Sequence, residues 1–215
     1  MKRSAGWLPI IMGTVLVVLV AALSVHKFAE WSGFRLLLGI GVTAFYLFWC
    51  FAEGKLASAK EVSLPPTRRD ARSLEFYALA QGTTVVCALL FSTVWVGYWF
   101  NGAAIAVLLA GFAFRIQSIR ALGQFYSRRV RLLEGHEVIT NGPYRVVRHP
   151  AYLGTLIGHL GFVLFFFNWP ALIIWALFFA PMVVRRILIE EPVLFELPGY
   201  SEYAARTRRL IPPLW

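Results

Sequence analysis

Two polar clusters stand out in a chain otherwise dominated by apolar residues. The first runs from Gly135 to Gly154 and reads GHEVITNGPYRVVRHPAYLG. Asn141-Gly142-Pro143 is a turn signal that stops one element. His149-Pro150 then breaks the chain again and prepares a helix, because proline favours the first helical turn. The amides of that helix start, together with Arg145, Arg148 and His149, suit an anionic or polar ligand group. The second cluster is Arg185-Arg186-Ile187-Leu188-Ile189-Glu190-Glu191-Pro192. Four ionisable residues beside an apolar run are costly unless they pair or line a wet cavity. Arg186 and Glu190 are four apart, so an intrahelical ion pair accounts for one of each. Arg185 and Glu191 then still need partners. Each cluster also has a plainer reading, since Arg, Tyr and His at a membrane boundary commonly anchor a helix among lipid headgroups. Metal chemistry is not expected. Cys50 and Cys87 both sit inside apolar runs and read as small buried hydrophobes.

The elements that must position these clusters are membrane helices. Hydrophobic residues make up 59% of the 215 positions and charged residues only 15%, with a mean hydropathy of +0.65. A soluble domain carries about 25% charged residues. Six apolar segments follow one another: Trp7–Val25, Phe34–Ala52, Leu74–Phe100, Gly102–Leu122, Ala151–Phe167 and Trp169–Ile189. Period-2 alternation is missing, so the spans are helices rather than barrel strands. Segments three and four are joined by little more than Asn101-Gly102, and segments five and six turn around Asn168. Both pairs are expected to be tight hairpins. The start of segment five and the end of segment six therefore share one membrane face, where the two clusters should meet. Pro192 is expected to begin a separate short helix.

The net charge of +10 is membrane topology and not nucleic-acid binding, because no basic stripe interleaved with aromatics is present. With a cytoplasmic N-terminus, all of the 21 basic residues except Lys27 and Arg35 fall on the inner side or its membrane edge. Both termini and the polar clusters are thus expected on the cytoplasmic side of an integral (inner/cytoplasmic) membrane protein. Segment one, preceded by Lys2-Arg3, resembles a signal peptide but is long for one, and a retained anchor is expected. No internal repeat is evident, which argues against an inverted-repeat transporter. The chain divides by character into residues 1–120, an apolar scaffold of four helices, and residues 121–215, which hold nearly all the polar punctuation. Trp7, Trp31, Trp95, Trp99, Trp169 and Trp215 read as an interfacial aromatic belt. Arg115 and Arg120 read as side chains reaching to the interface. His159 should bond to a neighbouring helix. The tail 201–209 should lie against anionic headgroups.

The paired motifs NGPYRVVRHPAYLG and EEPVL, followed by PGYSEY and RLIPPLW, resemble the signature of the isoprenylcysteine carboxyl methyltransferase family, within the wider group that includes phospholipid N-methyltransferases. The resemblance covers about residues 121–215. It implies an all-α, polytopic membrane enzyme of about six transmembrane helices that uses S-adenosyl-L-methionine, held on the cytoplasmic side by the C-terminal region. The positions it implies for the cofactor are His136, Glu137, Val138 and Ile139 in the connector, Tyr144 in the turn, His149, Pro150, Ala151 and Tyr152, and Glu190. It assigns Arg186 to the lipid-borne substrate, and makes Arg186 and Glu190 the catalytic pair. The connector QFYSRRVRLLEGHEV is more basic than the family pattern, so no cofactor contact is carried over before His136. Leu197-Pro198-Gly199 stands where Phe-Gly is common.

The activity so implied is methylation of a carboxylate on a lipophilic, isoprenylcysteine-like acceptor, with the bilayer and a lipidated substrate as partners. A carboxylate is already ionised and needs no base, and a guanidinium fork can orient it. The closest alternative is an ethanolamine N-methyltransferase, whose cationic amine must lose a proton, for which Glu191 is the available carboxylate. A small-thiol S-methyltransferase is a further alternative. A transport or structural membrane protein is the non-enzyme reading, and it predicts no cofactor binding.

Overall fold

The computed structural model describes residues 8–56, 72–92, 95–213 and 215. The expected basic positions Lys2, Arg3, Lys60, Arg68 and Arg69, and Trp7, lie outside them. Among the described residues seven helices follow in order: α1 (Leu8–Phe28), α2 (Gly33–Leu56), α3 (Ser73–Phe91), α4 (Tyr98–Leu122), α5 (Pro150–Phe165), α6 (Trp169–Leu194) and α7 (Tyr200–Arg206). Short 3-10 turns occupy Gly123–Phe125 and Gly142–Arg145. Among the described residues there is no strand, only an isolated bridge between Val147 and Arg208. Five of these helices, α1 to α4 and α6, are long and apolar enough to cross a membrane, and α5 is a shorter apolar helix. The chain is an all-α polytopic membrane protein.

Three boundaries differ from expectation. The break between the third and fourth spans falls at Ser92–Gly97 and not at Asn101-Gly102. Gly97 takes φ +134°, which a side chain disfavours. Asn101 is buried inside α4, where its amide donates to the Phe165 carbonyl at 3.1 Å, one of the acceptors left open at the end of α5. Secondly, α6 contains a widened π turn, Trp175–Phe179, directly before Pro181. An interior proline cannot donate and crowds the carbonyl four residues back, and a wider turn relieves both. Thirdly, Pro192 does not start a new helix. It lies within α6, and the Phe195 amide takes the Glu191 carbonyl at 2.9 Å to close the end.

The α5–α6 hairpin turns at Asn168 as expected. Its carboxamide oxygen accepts from the Ala171 amide at 2.8 Å, while its NH₂ donates to the Phe166 and Ala88 carbonyls. That side chain caps α6 and ties the hairpin to α3.

At the centre, α4 and α5 touch backbone to backbone. A Cβ placed on Gly111 would lie 2.2 Å from the Gly158 nitrogen, and one on Gly161 would lie 2.3 Å from the Leu108 nitrogen. Small residues at such spacing let helices approach closely where lipid removes the hydrophobic drive. Around this contact Trp49 of α2 stacks on Phe112, and Tyr46 packs at a tilt against Phe162. Trp31 belongs to this core and not to an interfacial belt: it is buried, with Arg35 4.0 Å above its ring. Trp99 and Trp169 do project outward.

The contrast within α4 gives a direct test. Gly111→Ala is expected to cost about 1–3 kcal/mol as overpacking. Gly102→Ala meets nothing within 4 Å and is expected to be neutral or stabilising, by up to about 1 kcal/mol. Thermal unfolding of both variants in one detergent reads the difference.

Candidate functional site

The two polar clusters meet in the walls of one cavity of about 970 Å³. The cavity runs from the start of α5 and the end of α6, past the connector after α4, to apolar faces of α1, α2 and α3. Of the expected site residues, His136, Glu137, Val138, Ile139 and Tyr144 line it from the connector and the 3-10 turn. His149, Ala151, Tyr152, Arg186 and Glu190 line it from the helix ends. Pro150 does not. It is the first residue of α5, buried, and fixes where that helix begins.

Arg186 and Glu190 are joined through a third side chain. The Tyr152 hydroxyl donates to Glu190 Oε2 at 2.7 Å and accepts from Arg186 Nε at 2.8 Å. Arg186 also donates to Ser73 Oγ at 2.8 Å and to the Arg128 carbonyl. The guanidinium is thus held in one plane in the cavity wall, buried against Tyr77.

Glu191 faces away from this group and ties three segments together. Arg148 Nη1 lies 2.8 Å from Oε1, with His149 Nε2 at 3.4 Å from the same oxygen. Arg209 donates to Oε2 through Nε and Nη2, each at 2.7 Å. The backbone completes the tie: the Arg148 and His149 amides donate to the Arg208 and Arg209 carbonyls at 2.7 and 3.1 Å. The tail therefore folds back over the α5 start. Tyr203 donates to the Tyr144 carbonyl at 2.6 Å, and Tyr200 and Tyr203 close the cavity on that side. Burial pushes the Tyr203 hydroxyl up to about 12 and that of Tyr144 well above its usual value, so both stay protonated donors at neutral pH. The Tyr200 hydroxyl is buried in the cavity wall without a hydrogen-bond partner among the described residues.

Several wall residues were not singled out in the sequence. Glu53, at the end of α2, accepts from Arg115 Nη2. Arg115 is buried, not extended to the interface, and also donates to Thr155 Oγ1 at 2.7 Å and the Ala151 carbonyl at 3.1 Å. Upstream of His136, the wall includes Phe125, Tyr126, Ser127 and Arg128. Phe125 stacks on the His136 ring at 4.9 Å with planes 7° apart. The signal for Glu53 and Arg115 was present as one acid and one base within otherwise apolar runs. That they pair across two helices is not a sequence property. His159 meets its expected neighbour, with Tyr46 Oη 3.4 Å from Nε2, while Nδ1 bonds within α5 to the Thr155 carbonyl at 2.8 Å.

Removing the charge that ties the tail has a clear expected result. Glu191→Gln leaves Arg148 and Arg209 without their shared carboxylate, a loss on the order of 3–5 kcal/mol for a buried pair. Tryptic cleavage at Arg206–Arg209 is expected to accelerate, whereas Glu202→Gln on the exposed side of α7 is expected to leave it unchanged. The connector has a pH dependence of its own. Burial holds the His136 pKa below its usual value, so the unfolded chain takes up that proton first. The contribution is intact above about pH 6.5 and declines as pH falls through the folded value. Melting curves between pH 7.5 and 5 should show this slope, and His136→Phe should flatten it.

Comparison with known proteins covers much of the same segment. The model of the isoprenylcysteine carboxyl methyltransferase family matches residues 104–196. Protein-S-isoprenylcysteine O-methyltransferase B of Arabidopsis thaliana is 29% identical over 119 residues, 54% of this chain and 60% of that protein. The cobalt-zinc-cadmium resistance protein CzcN of Cupriavidus metallidurans is 29% identical over 135 residues, 61% of this chain and 60% of that protein. The Schizosaccharomyces pombe protein-S-isoprenylcysteine O-methyltransferase is 28% identical over 117 residues, 53% of this chain and 50% of that protein. The matches thus span about 60% or less of the length of these relatives. The matched segment contains most of α4, all of α5 and α6, and the turn between them, and over it the chain is similar to the isoprenylcysteine carboxyl methyltransferase family.

Proposed function

We propose that this protein is an integral membrane methyltransferase that uses S-adenosylmethionine to methylate a carboxylate on a lipophilic, isoprenylcysteine-like acceptor. The observation that carries the reading is the single cavity with two kinds of wall. Its polar end holds the Arg186–Tyr152–Glu190 chain, and its other end is formed by Met12, Leu16, Leu79 and Val86 on apolar membrane helices. A reactant with a charged head and a long apolar tail fits such a space. By the distribution of Lys and Arg, the polar end faces the cytoplasm, as do both termini.

The residues at the polar end suit the cofactor. The unpartnered Tyr200 hydroxyl and the Glu190 carboxylate offer acceptors to an amino-acid or ribose group. The stacked Phe125–His136 pair offers an aromatic wall to a base. The rings of Tyr77, Tyr144 and Tyr152 suit a positively charged sulfur. Bound S-adenosylmethionine would supply a methyl group on a sulfonium, whose transfer to a carboxylate leaves a thioether and an ester and moves no proton. The chain's own task is then to orient and to exclude water. Arg186, fixed by Tyr152, Ser73 and Arg128, presents a pre-oriented fork to the acceptor's carboxylate. His149 and Ala151 shape the wall at the start of α5, with His149 held by Glu191. His136, Glu137, Val138 and Ile139 close the connector side.

The contacts of Glu191 favour a carboxylate acceptor over an ethanolamine amine. An amine must lose a proton before attack, and Glu191 already shares both oxygens among Arg148, His149 and Arg209.

Calorimetric binding of S-adenosylhomocysteine to the detergent-purified chain tests the reading. Saturable binding is expected, weakened about tenfold or more by Glu190→Gln and by Tyr152→Phe, as for a hydrogen bond to a charged group. A folded wild-type protein that binds no S-adenosylhomocysteine would overturn it.

A further inference from the structure

The Glu53–Arg115 pair is the part of the cavity that the reading above leaves unused. Glu53 comes from α2, outside the segment that matches the family model. A carboxylate at the end of a membrane span is costly. An ion pair that serves only as structure is commonly matched or bettered by apolar residues of the same volume. The two partners are also unequally covered. The Arg115 side chain keeps 6% of its surface exposed and the Glu53 side chain 16%, and both line the cavity. Arg115 is held from behind by neutral acceptors, the Thr155 hydroxyl, the Ala151 carbonyl and the Tyr126 hydroxyl. It binds one carboxylate oxygen, Oε1, and so fixes the direction in which the Glu53 carboxylate faces the cavity.

The connector reaches both groups: the Tyr126 hydroxyl touches Arg115, and the carbonyl of Arg128 receives Arg186. The charges of Arg115, Glu53 and Arg186 all act on the Tyr77 hydroxyl between them, and all four residues line the cavity. A fixed guanidinium and a fixed carboxylate thus border the same part of it. A ligand carrying a carboxylate and an N–H donor on one carbon can address both.

We propose that Glu53 is a specificity-determining residue of the acceptor site. Its carboxylate accepts a hydrogen bond from a nitrogen on the carbon that bears the reacting carboxylate, so the site selects an N-acylated amino acid head over a plain lipophilic acid. This assignment rests on the methyltransferase reading. Arg115 acts through Glu53 as a positioning residue.

The test compares two acceptors that differ at that carbon alone: N-acetyl-S-farnesylcysteine, and the same thioether acid with hydrogen in place of the acetamide. Methyl-ester formation is measured with the full chain in detergent, alongside S-adenosylhomocysteine binding. Wild type is expected to favour the acetamide compound by about tenfold or more in kcat/KM, as for a hydrogen bond to a charged group. Glu53→Gln is expected to reduce that preference to about twofold while S-adenosylhomocysteine binds as before. Equal losses for both acceptors, or an undiminished preference, would overturn the proposal and leave Glu53 as a counterion to Arg115. Should Glu53→Gln fail to fold, the paired variant Glu53→Leu/Arg115→Met removes both charges and carries the same comparison. Cofactor binding without methylation of either acid overturns the acceptor assignment alone. Absence of S-adenosylhomocysteine binding overturns the methyltransferase reading itself.

Discussion

The backbone contact between α4 and α5 is the constraint from which the rest of the site follows. Gly111, Gly154 and Gly161 leave no room for a Cβ, and the helices close until main chain meets main chain. In lipid, such packing replaces the hydrophobic drive that a soluble core enjoys. One turn from Gly111, Arg115 is then near enough to reach the Ala151 carbonyl and the Thr155 hydroxyl. That bond, with Pro150 as first residue, sets where α5 begins and which of its residues face the cavity. Phe112, next to Gly111, is pressed against Trp49, His159 and Tyr46, so the same contact also orders α2.

Charges near the membrane have been handled in two ways. Glu191 is enclosed by Arg148, His149 and Arg209, and Glu53 is held by Arg115. These groupings join distant segments: the tail to the helix ends in one case, α2 to α4 in the other. Arg186 and Glu190 differ, because a neutral tyrosine hydroxyl links them. A hydroxyl that donates to one and accepts from the other keeps both oriented without cancelling either charge. Adjacent glutamates thus have opposite assignments, one to the frame and one to the cavity. Their order along α6 decides which is which, since successive residues on a helix point about 100° apart.

Much of the fold was legible because composition and helix-breaking residues act locally. Apolar runs, the Asn168 turn and the Pro150 start can all be read from neighbours in sequence. The meeting of the two polar clusters followed from the hairpin alone. What could not be read was decided across helices. Asn101 looked like a turn residue, but an open carbonyl at Phe165 makes it a buried helical donor. Arg115 looked like an interfacial side chain, but Glu53 lies opposite it. Arg186 and Glu190 suggested a direct pair at helical spacing, yet Tyr152 projects from α5 between them. The roles of Tyr200 and Tyr203 were latent in the PGYSEY motif. Only the return of the tail along Arg148 and His149 brings them to the cavity.

The proposed cofactor site is built of helix ends, with neither a parallel sheet nor a glycine-rich phosphate loop among the described residues, and is suited to a ligand without phosphate. The proposed cofactor carries a sulfonium, an ammonium, a carboxylate and a neutral nucleoside, so single hydroxyls, carboxylates and ring faces serve where a row of backbone amides would not. Placing them at one rim of the membrane would also answer a problem particular to the lipid-borne acceptors proposed. The acceptor's tail gains nothing by leaving the bilayer, while its charged head gains nothing by entering it. A cavity whose apolar end lies among α1, α2 and α3 and whose polar end is bounded by Arg186 and Glu190 lets each part stay in its own medium. In the proposed reaction the tail segment would matter without touching the reacting atoms. By closing the polar end through Tyr200 and Tyr203, it would remove the water that otherwise solvates a carboxylate nucleophile and weakens its attack. Glu191 holds that closure in place, which links the exclusion of water to an ion pair just outside the cavity.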